Sequence, residues 1–463
     1  MRITHVFQVV FFAIIAALSV VSFANPPGSV AATPVVITNQ SEILRSQRQQ
    51  AQPADRFVDS IGVATHLNYL DTPYGEYRRI IKPRLLEVGI RHIRDGSAVE
   101  VRNGIAYPDK VVQDRYLDLA RHGVKSTLIF GTEPKQVTLS TLKKLLLSVE
   151  AVEGPNETDL SQFKYSYKGQ QFPKATRMRM KDLYGWVKND AKTKHISVVQ
   201  NSLGWGKNAE KLGNLEKYAD YGPAHFYTAE ANSPGSALDT WHLRYARIVS
   251  PNKPLLSTES GYTTAVDDGG ISEYAHARYI SRILLEHFRK GVVRTHIYEL
   301  IDEWDKPLDF EQAHFGLLRY NNTPKPAFTL IKNMITVLQD KGTGFKPGVL
   351  DCDISGGNSL VHHFVLQKRD GRFYLVIWQD PKNWDIERKE DIRIADQTVT
   401  LRLTGDFVAA QTFLSMQNPM PVRHYAHPTT LVMAVPDHPL IVELTPRLSG
   451  GASEPAKQGE NRH

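Results

Sequence analysis

Cysteine is nearly absent: Cys352 is the single one in 463 residues. No disulfide can form within the chain, and no cysteine-based zinc or iron–sulfur cluster can assemble. The glycine-rich turns Gly-x-Gly-x-x-Gly and Gly-x-x-x-x-Gly-Lys-Ser/Thr are missing, which removes the usual nucleotide-binding signatures. His-Glu-x-x-His and Gly-x-Ser-x-Gly are missing too, so neither a zinc-hydrolase helix nor a serine elbow is encoded. Charge of one sign is not in excess. Lys plus Arg number 56 against 49 Asp plus Glu, a net +7 spread along the chain. That pattern reads as a solvated surface, with no nucleic-acid motif beside it. Beyond residue 21 no apolar run is long enough to span a bilayer.

What is present divides the chain. Met1-Arg2, an apolar stretch over 6–21 and the small-x-small triplet Ser22-Phe23-Ala24 make residues 1–24 an expected signal peptide. The protein is then secreted or periplasmic; an uncleaved segment would instead leave it membrane-anchored. Residues 25–55, with Pro26-Pro27-Gly28 and a Gln-rich polar end, are expected as a flexible tether. From 56 to 340, strand-length apolar runs at 61–65, 90–94, 126–130, 150–153, 196–200, 224–227, 255–258 and 293–298 alternate with amphipathic helical patterns. Eight strand–helix alternations over about 240 residues predict a (β/α)8 barrel, with a doubly wound open sheet as the competitor. After residue 340 helical periodicity stops. Short β-rich runs predict an antiparallel β-sandwich over 341–447, and 448–463 is expected to be a disordered tail. In the sandwich, Trp378 and Trp384 read as core aromatics or as a sugar platform.

Chemistry concentrates where barrel strands end, the face on which such barrels carry function. The fourth run ends Glu153-Gly154-Pro155-Asn156-Glu157, and the seventh ends Thr258-Glu259-Ser260-Gly261-Tyr262. Two carboxylates across a barrel mouth are the minimum apparatus for cleaving a glycosidic bond. These runs resemble the acid/base and nucleophile segments of clan A of the glycoside hydrolases, with families 39 and 5 nearest. His225-Phe226-Tyr227 is similar to the clan's His-x-Tyr run, and Arg94 to its strand-two arginine. Phe315-Gly316-Leu317-Leu318 with Lys325-Pro326-Ala327 resembles a stretch after the eighth strand.

The resemblance implies roles. Glu157 would be the acid/base and Glu259 the nucleophile of a retaining hydrolase, with Tyr227 and Arg94 donating to Glu259 and Asn156 to a sugar 2-hydroxyl. Sugar contacts are expected from His66 and His225; the competing readings are loop capping for His66 and a wall residue for His225. The eighth run departs from the clan's tryptophan ending. It reads His296-Ile297-Tyr298-Glu299-Leu300, so Trp304 is the expected stacking floor. Glu299 and Asp302 are the rival carboxylates. The fourth-loop aromatics Phe163, Tyr165, Tyr167 and Phe172 either stack on sugars or pin their own loop. Asp267-Asp268-Gly269-Gly270 lacks the spacing of a calcium loop and reads as a turn. No metal or cofactor is expected. The partner is a polysaccharide or oligosaccharide, and the protein is expected to be a monomer, with no nucleic acid and no membrane partner beyond the export signal. The reading from another class is a non-catalytic polysaccharide-binding protein on the same barrel.

Overall fold

The computed structural model describes residues 47–102, 105–228, 231–342 and 344–447. The signal segment 1–24, residues 25–46 of the tether and the tail 448–463 lie outside the described residues.

The eight apolar runs are strands: β1 (Ile61–Ala64), β2 (His92–Gly96), β3 (Lys125–Ile129), β4 (Val149–Glu153), β5 (Ser197–Val199), β6 (Gly222–His225), β7 (Leu255–Ser260) and β8 (Arg294–Ile297). They pair in parallel in the order β6-β7-β8-β1-β2-β3-β4-β5. A parallel bridge between Val199 and Tyr221 joins the two ends. This is the (β/α)8 barrel expected from the alternation. Its strands read as continuous apolar runs because helices cover one face and the barrel interior fills the other. Local chemistry sets the helix ends. Ser272 caps Glu273–Arg289 by accepting from Ala275 N at 3.0 Å, with Glu273 in the first turn and His287 and Arg289 in the last. At the N-terminal end of the barrel, His92 bridges Glu150 (2.8 Å) and Asp59 (2.9 Å), and Arg294 joins Glu150 at 2.9 Å. This end ties strands together and is remote from the loops that follow them.

The C-terminal part is a sandwich of a four-stranded and a six-stranded sheet. Its central strand Phe373–Gln379 is buried at every position, because it faces two cores. Phe373, Leu375 and Ile377 point into the sandwich with Val442, Leu444 and Leu401. Tyr374, Val376 and Trp378 point the other way into the core they share with the barrel. The period of two sends alternate residues to opposite faces. Phe57 and Phe288 of the barrel meet Phe364 of the sandwich with ring centroids 5.6 and 5.1 Å apart, and Phe364 in turn packs on Trp378 at 5.5 Å. Trp378 Nε1 donates to buried Glu286 at 2.8 Å. Trp378 and Trp384 are thus core aromatics, not an exposed platform.

One boundary differs from expectation. The end of the expected tether is structured: Gln47–Gln50 pairs with Val349–Gly356 and Gln52–Pro53 with Val361–Gln367, before the helix Ala54–Asp59 enters the barrel. A polar edge strand needs only its backbone to pair, so Gln-Arg-Gln-Gln carries no apolar signal of its role.

Candidate active site

The loops after β2, β4, β6 and β7 bring the strand-end residues to one mouth. Arg94, on β2, is 3% exposed and sits at its centre. Its guanidinium donates to Glu153 through Nε (2.7 Å) and Nη2 (3.1 Å), and to Asn156 Oδ1 at 2.7 Å. Its remaining nitrogen, Nη1, donates to Glu259 Oε1. Tyr227 donates to Glu259 Oε2 at 2.9 Å, so both oxygens of Glu259 are held. The β6–β7 register sets His225 beside Glu259. Alternation then directs His225 and Tyr227 to the mouth, while Phe226 packs outward with Leu238 and Leu255.

Glu157 lies opposite. His225 Nδ1 is 2.7 Å from Glu157 Oε1 and 3.4 Å from Glu259 Oε2. One carboxylate oxygen from each glutamate and a His225 nitrogen all lie within 4.8 Å of one another. Glu157 itself adopts φ of +43°, a left-handed conformation that costs a non-glycine residue on the order of 1–3 kcal/mol and collects at functional sites. Its N–H donates to Ser202 Oγ at 3.2 Å. Gly154 makes the turn possible: a Cβ there would stand 2.2 Å from Met180 Sδ and 2.9 Å from Asn201 N.

The environments push the two carboxyls apart. Burial, reinforced by the charge of Glu259, raises Glu157 above the usual carboxylate range. Burial also disfavours the Glu259 anion, but His225, Arg94 and the hydroxyl of Tyr227 outweigh it and hold Glu259 below that range. One group is poised to hold a proton and the other to stay ionised, the division of labour that acid–nucleophile pairs require.

The other candidate residues separate. His66 follows β1 at the same mouth, stacked on Tyr69 with centroids 4.6 Å apart. Its loop is anchored by Asp95, which accepts from Thr65 Oγ1 (2.6 Å) and Leu67 N (2.9 Å) and is pushed up to about 7 by burial. Trp304 is not brought to the Glu157–Glu259 pair. Glu303 turns inward to His66, while Trp304 turns away against Phe310 and lines a separate cleft with Asp302, Arg319 and Lys325. The aromatic at the end of β8 is Tyr298, set edge-on to His66 at 5.6 Å and to Phe315 at 5.4 Å. Asp302 is paired with Lys325 at 2.8 Å, and Glu299 accepts from Tyr74 at 2.9 Å. In the fourth loop, Tyr167 donates to Asp182 (2.8 Å) and lies under Arg179, while Phe172 packs on the core: these pin the loop, and Phe163 stays exposed. The run Asp267–Gly270 is a turn whose Asp267 pairs with Lys389 at 2.7 Å.

Sequence reasoning left Glu153 out of the site, although it closes an apolar strand, where a carboxylate needs a buried partner. Trp205 was also missed. It is exposed, and its N–H donates to Asp159, two residues past Glu157, at 3.0 Å.

No family model matches the chain. The chain shares its fold with a family 39 glycoside hydrolase. That structure, from the gut symbiont Bacteroides cellulosilyticus WH2, superposes with a TM-score of 0.54 at 15% identity, over 85% of this chain and 81% of that one. A Rhizomucor miehei β-1,3-glucanosyltransferase mutant aligns with a TM-score of 0.43 at 15% identity, over 58% of this chain and 96% of that one. In sequence, 109 residues are 27% identical to the acidic isoform PR-O of glucan endo-1,3-β-glucosidase from Nicotiana tabacum, 20% of this chain and 67% of that protein. The likeness to the family 39 structure is one of fold, barrel and sandwich together. Among the described residues, no helix is long and apolar enough to cross a membrane.

Proposed function

We propose that the protein is a retaining glycoside hydrolase of polysaccharides or oligosaccharides, acting outside the cytoplasm after export on residues 1–24. The observation that carries this reading is the Glu157–Glu259 pair: two buried carboxyls with opposite proton preferences and oxygens within 4.8 Å. That spacing favours retention, for which carboxyls stand about 5–5.5 Å apart, over inversion, which needs about 6.5–9.5 Å to seat a water.

In the first step Glu259 attacks the anomeric carbon. The glycosidic C–O bond breaks, and the departing oxygen takes its proton from Glu157. In the second step Glu157 removes a proton from water, whose oxygen attacks the same carbon and releases Glu259. Asn156, held by Arg94 and Ser202, is set to meet the 2-hydroxyl of the reacting sugar. His225 holds Glu157 in place and shares its proton, and Tyr227 fixes Glu259.

Azide rescue tests the assignment. Glu259→Ala forms no glycosyl-enzyme, and azide entering the vacancy should yield a glycosyl azide of inverted configuration. Glu157→Ala should still form the intermediate from an activated aryl glycoside, and azide should release it with retained configuration. Polysaccharide binding that is unchanged in both variants, with no turnover by the wild type, would instead identify a binding protein.

A further inference from the structure

We propose that His66, Glu299 and Glu303 form a binding site for one divalent cation of the zinc type, beside the catalytic pair and separate from it. Nε2 of His66 stands 3.5 Å from Glu299 Oε2 and 3.5 Å from Glu303 Oε1. One donor atom from each of the three residues lies within 4.8 Å of the others. Zinc binds imidazole nitrogen and carboxylate oxygen at about 2.0–2.2 Å, which sets neighbouring ligands of a tetrahedral site about 3.3–3.6 Å apart. The spacing is too long for a good hydrogen bond and suits three ligands around one ion.

The unsatisfied atoms point the same way. Glu299 and Glu303 are 0% and 1% exposed. Among the described residues, His66 Nε2, Glu299 Oε1 and Glu303 Oε1 have no hydrogen-bond partner. A buried carboxylate oxygen without a donor is costly. Tyr74 supplies one hydroxyl, to Glu299 Oε2. Lys325, whose charge reaches Glu299, is bonded to Asp302 at 2.8 Å, and Asp302 and Asp71 add further negative charge nearby.

The other His–Glu–Glu triad makes the contrast. In Glu157, His225 and Glu259 the facing atoms are already taken: His225 bonds Glu157, and Arg94 and Tyr227 hold both oxygens of Glu259, whereas around His66 only Glu299 Oε2 has a donor, and His66 Nε2 and Glu303 Oε1 have none. A cation at His66 would join the loop after β1 to the loop after β8 and fix Tyr298 between them. The three residues supply three ligands, and water or a sugar hydroxyl would fill the fourth position. No local motif announces the site, because its ligands come from the first and last barrel strands.

The test uses protein stripped with EDTA and titrated with zinc chloride by calorimetry, with cobalt(II) as a spectroscopic probe. The expected result is one zinc per chain and the intense visible absorption of four-coordinate cobalt. Glu303→Gln and His66→Asn should each weaken zinc more than about 100-fold. Glu157→Gln should leave it unchanged, so the metal site and the hydrolase reading stand or fall separately. Absence of zinc binding by the wild type overturns the proposal. So do weak octahedral cobalt bands, or binding that survives both ligand substitutions. The wild-type spectrum keeps the test decisive even where a variant folds poorly.

Discussion

Replacing Arg94 by lysine keeps the positive charge and removes the fork. The guanidinium makes four hydrogen bonds to Glu153, Asn156 and Glu259, and all three partners belong to the mouth. A lysine ammonium is a point charge on a different stem and cannot span three partners on two sides. At least two charge-assisted bonds are lost, each worth about 1.5–3 kcal/mol, so the variant should lose roughly 3–6 kcal/mol. Folds of this kind hold on the order of 5–15 kcal/mol in total, so the loss is a large fraction of the whole. Urea unfolding reads it as a lower midpoint at unchanged slope. The pH dependence has a definite sign. Glu259 is held below its usual value in the folded protein, so its stabilising contribution is complete above the usual carboxylate value and disappears as pH falls through the folded one. The gap between wild type and Arg94→Lys should therefore be widest at neutral pH and close in acid. The same change should move the acid limb of kcat/KM to higher pH, since Glu259 would then ionise less readily. A variant of unchanged stability whose acid limb stays in place would refute the claim that Arg94 sets the charge state of Glu259.

Glu157→Gln should lower kcat on unactivated substrates about 10²- to 10⁴-fold. On an activated aryl glycoside it should lack the basic limb, which in the wild type reflects loss of the Glu157 proton as pH rises through a raised value. Residues 56–340 expressed alone should be insoluble or markedly less stable in a thermal melt, because Phe57 and Phe288 lose Phe364 and Glu286 loses the Trp378 donor. A soluble truncation of full activity would show that the shared core is dispensable. Trp205→Ala should raise KM about 2- to 10-fold on a polymeric substrate with little change in kcat, the scale of one aromatic contact. Gly154→Ala should cost about 1–3 kcal/mol through overpacking against Met180 and Asn201, with activity falling more than stability because the Glu157 turn shifts.

The barrel was legible because its strands are buried on both faces, which leaves continuous apolar runs between helical periods, and each run lies within a few residues of its strand. The short polar strand Gln47–Gln50 was not legible, since edge pairing uses backbone groups that every residue carries. The sandwich core was readable, but its contact with the barrel was not: a strand apolar at every position says that two faces are buried, not what lies on each.

Within the site, residues whose position follows from strand ends were within reach of the sequence. Glu157, Glu259, His225 and Tyr227 terminate or closely follow strands, and the period of two decides which of them face the mouth. The direction of Trp304 was not legible, because it lies beyond the strand, in a loop set by contacts with Phe310 and by Glu303 turning inward. Partnership across the barrel was decided by tertiary structure alone. Arg94 joins Glu153, Asn156 and Glu259, and His66 meets Glu299 and Glu303, only after closure brings distant strands side by side. The amino-acid sequence by itself determined which residues stand at the strand ends, because burial and periodicity are local. The charge each of them carries was decided by the fold, because desolvation and Coulomb interactions depend on neighbours that only the closed barrel supplies.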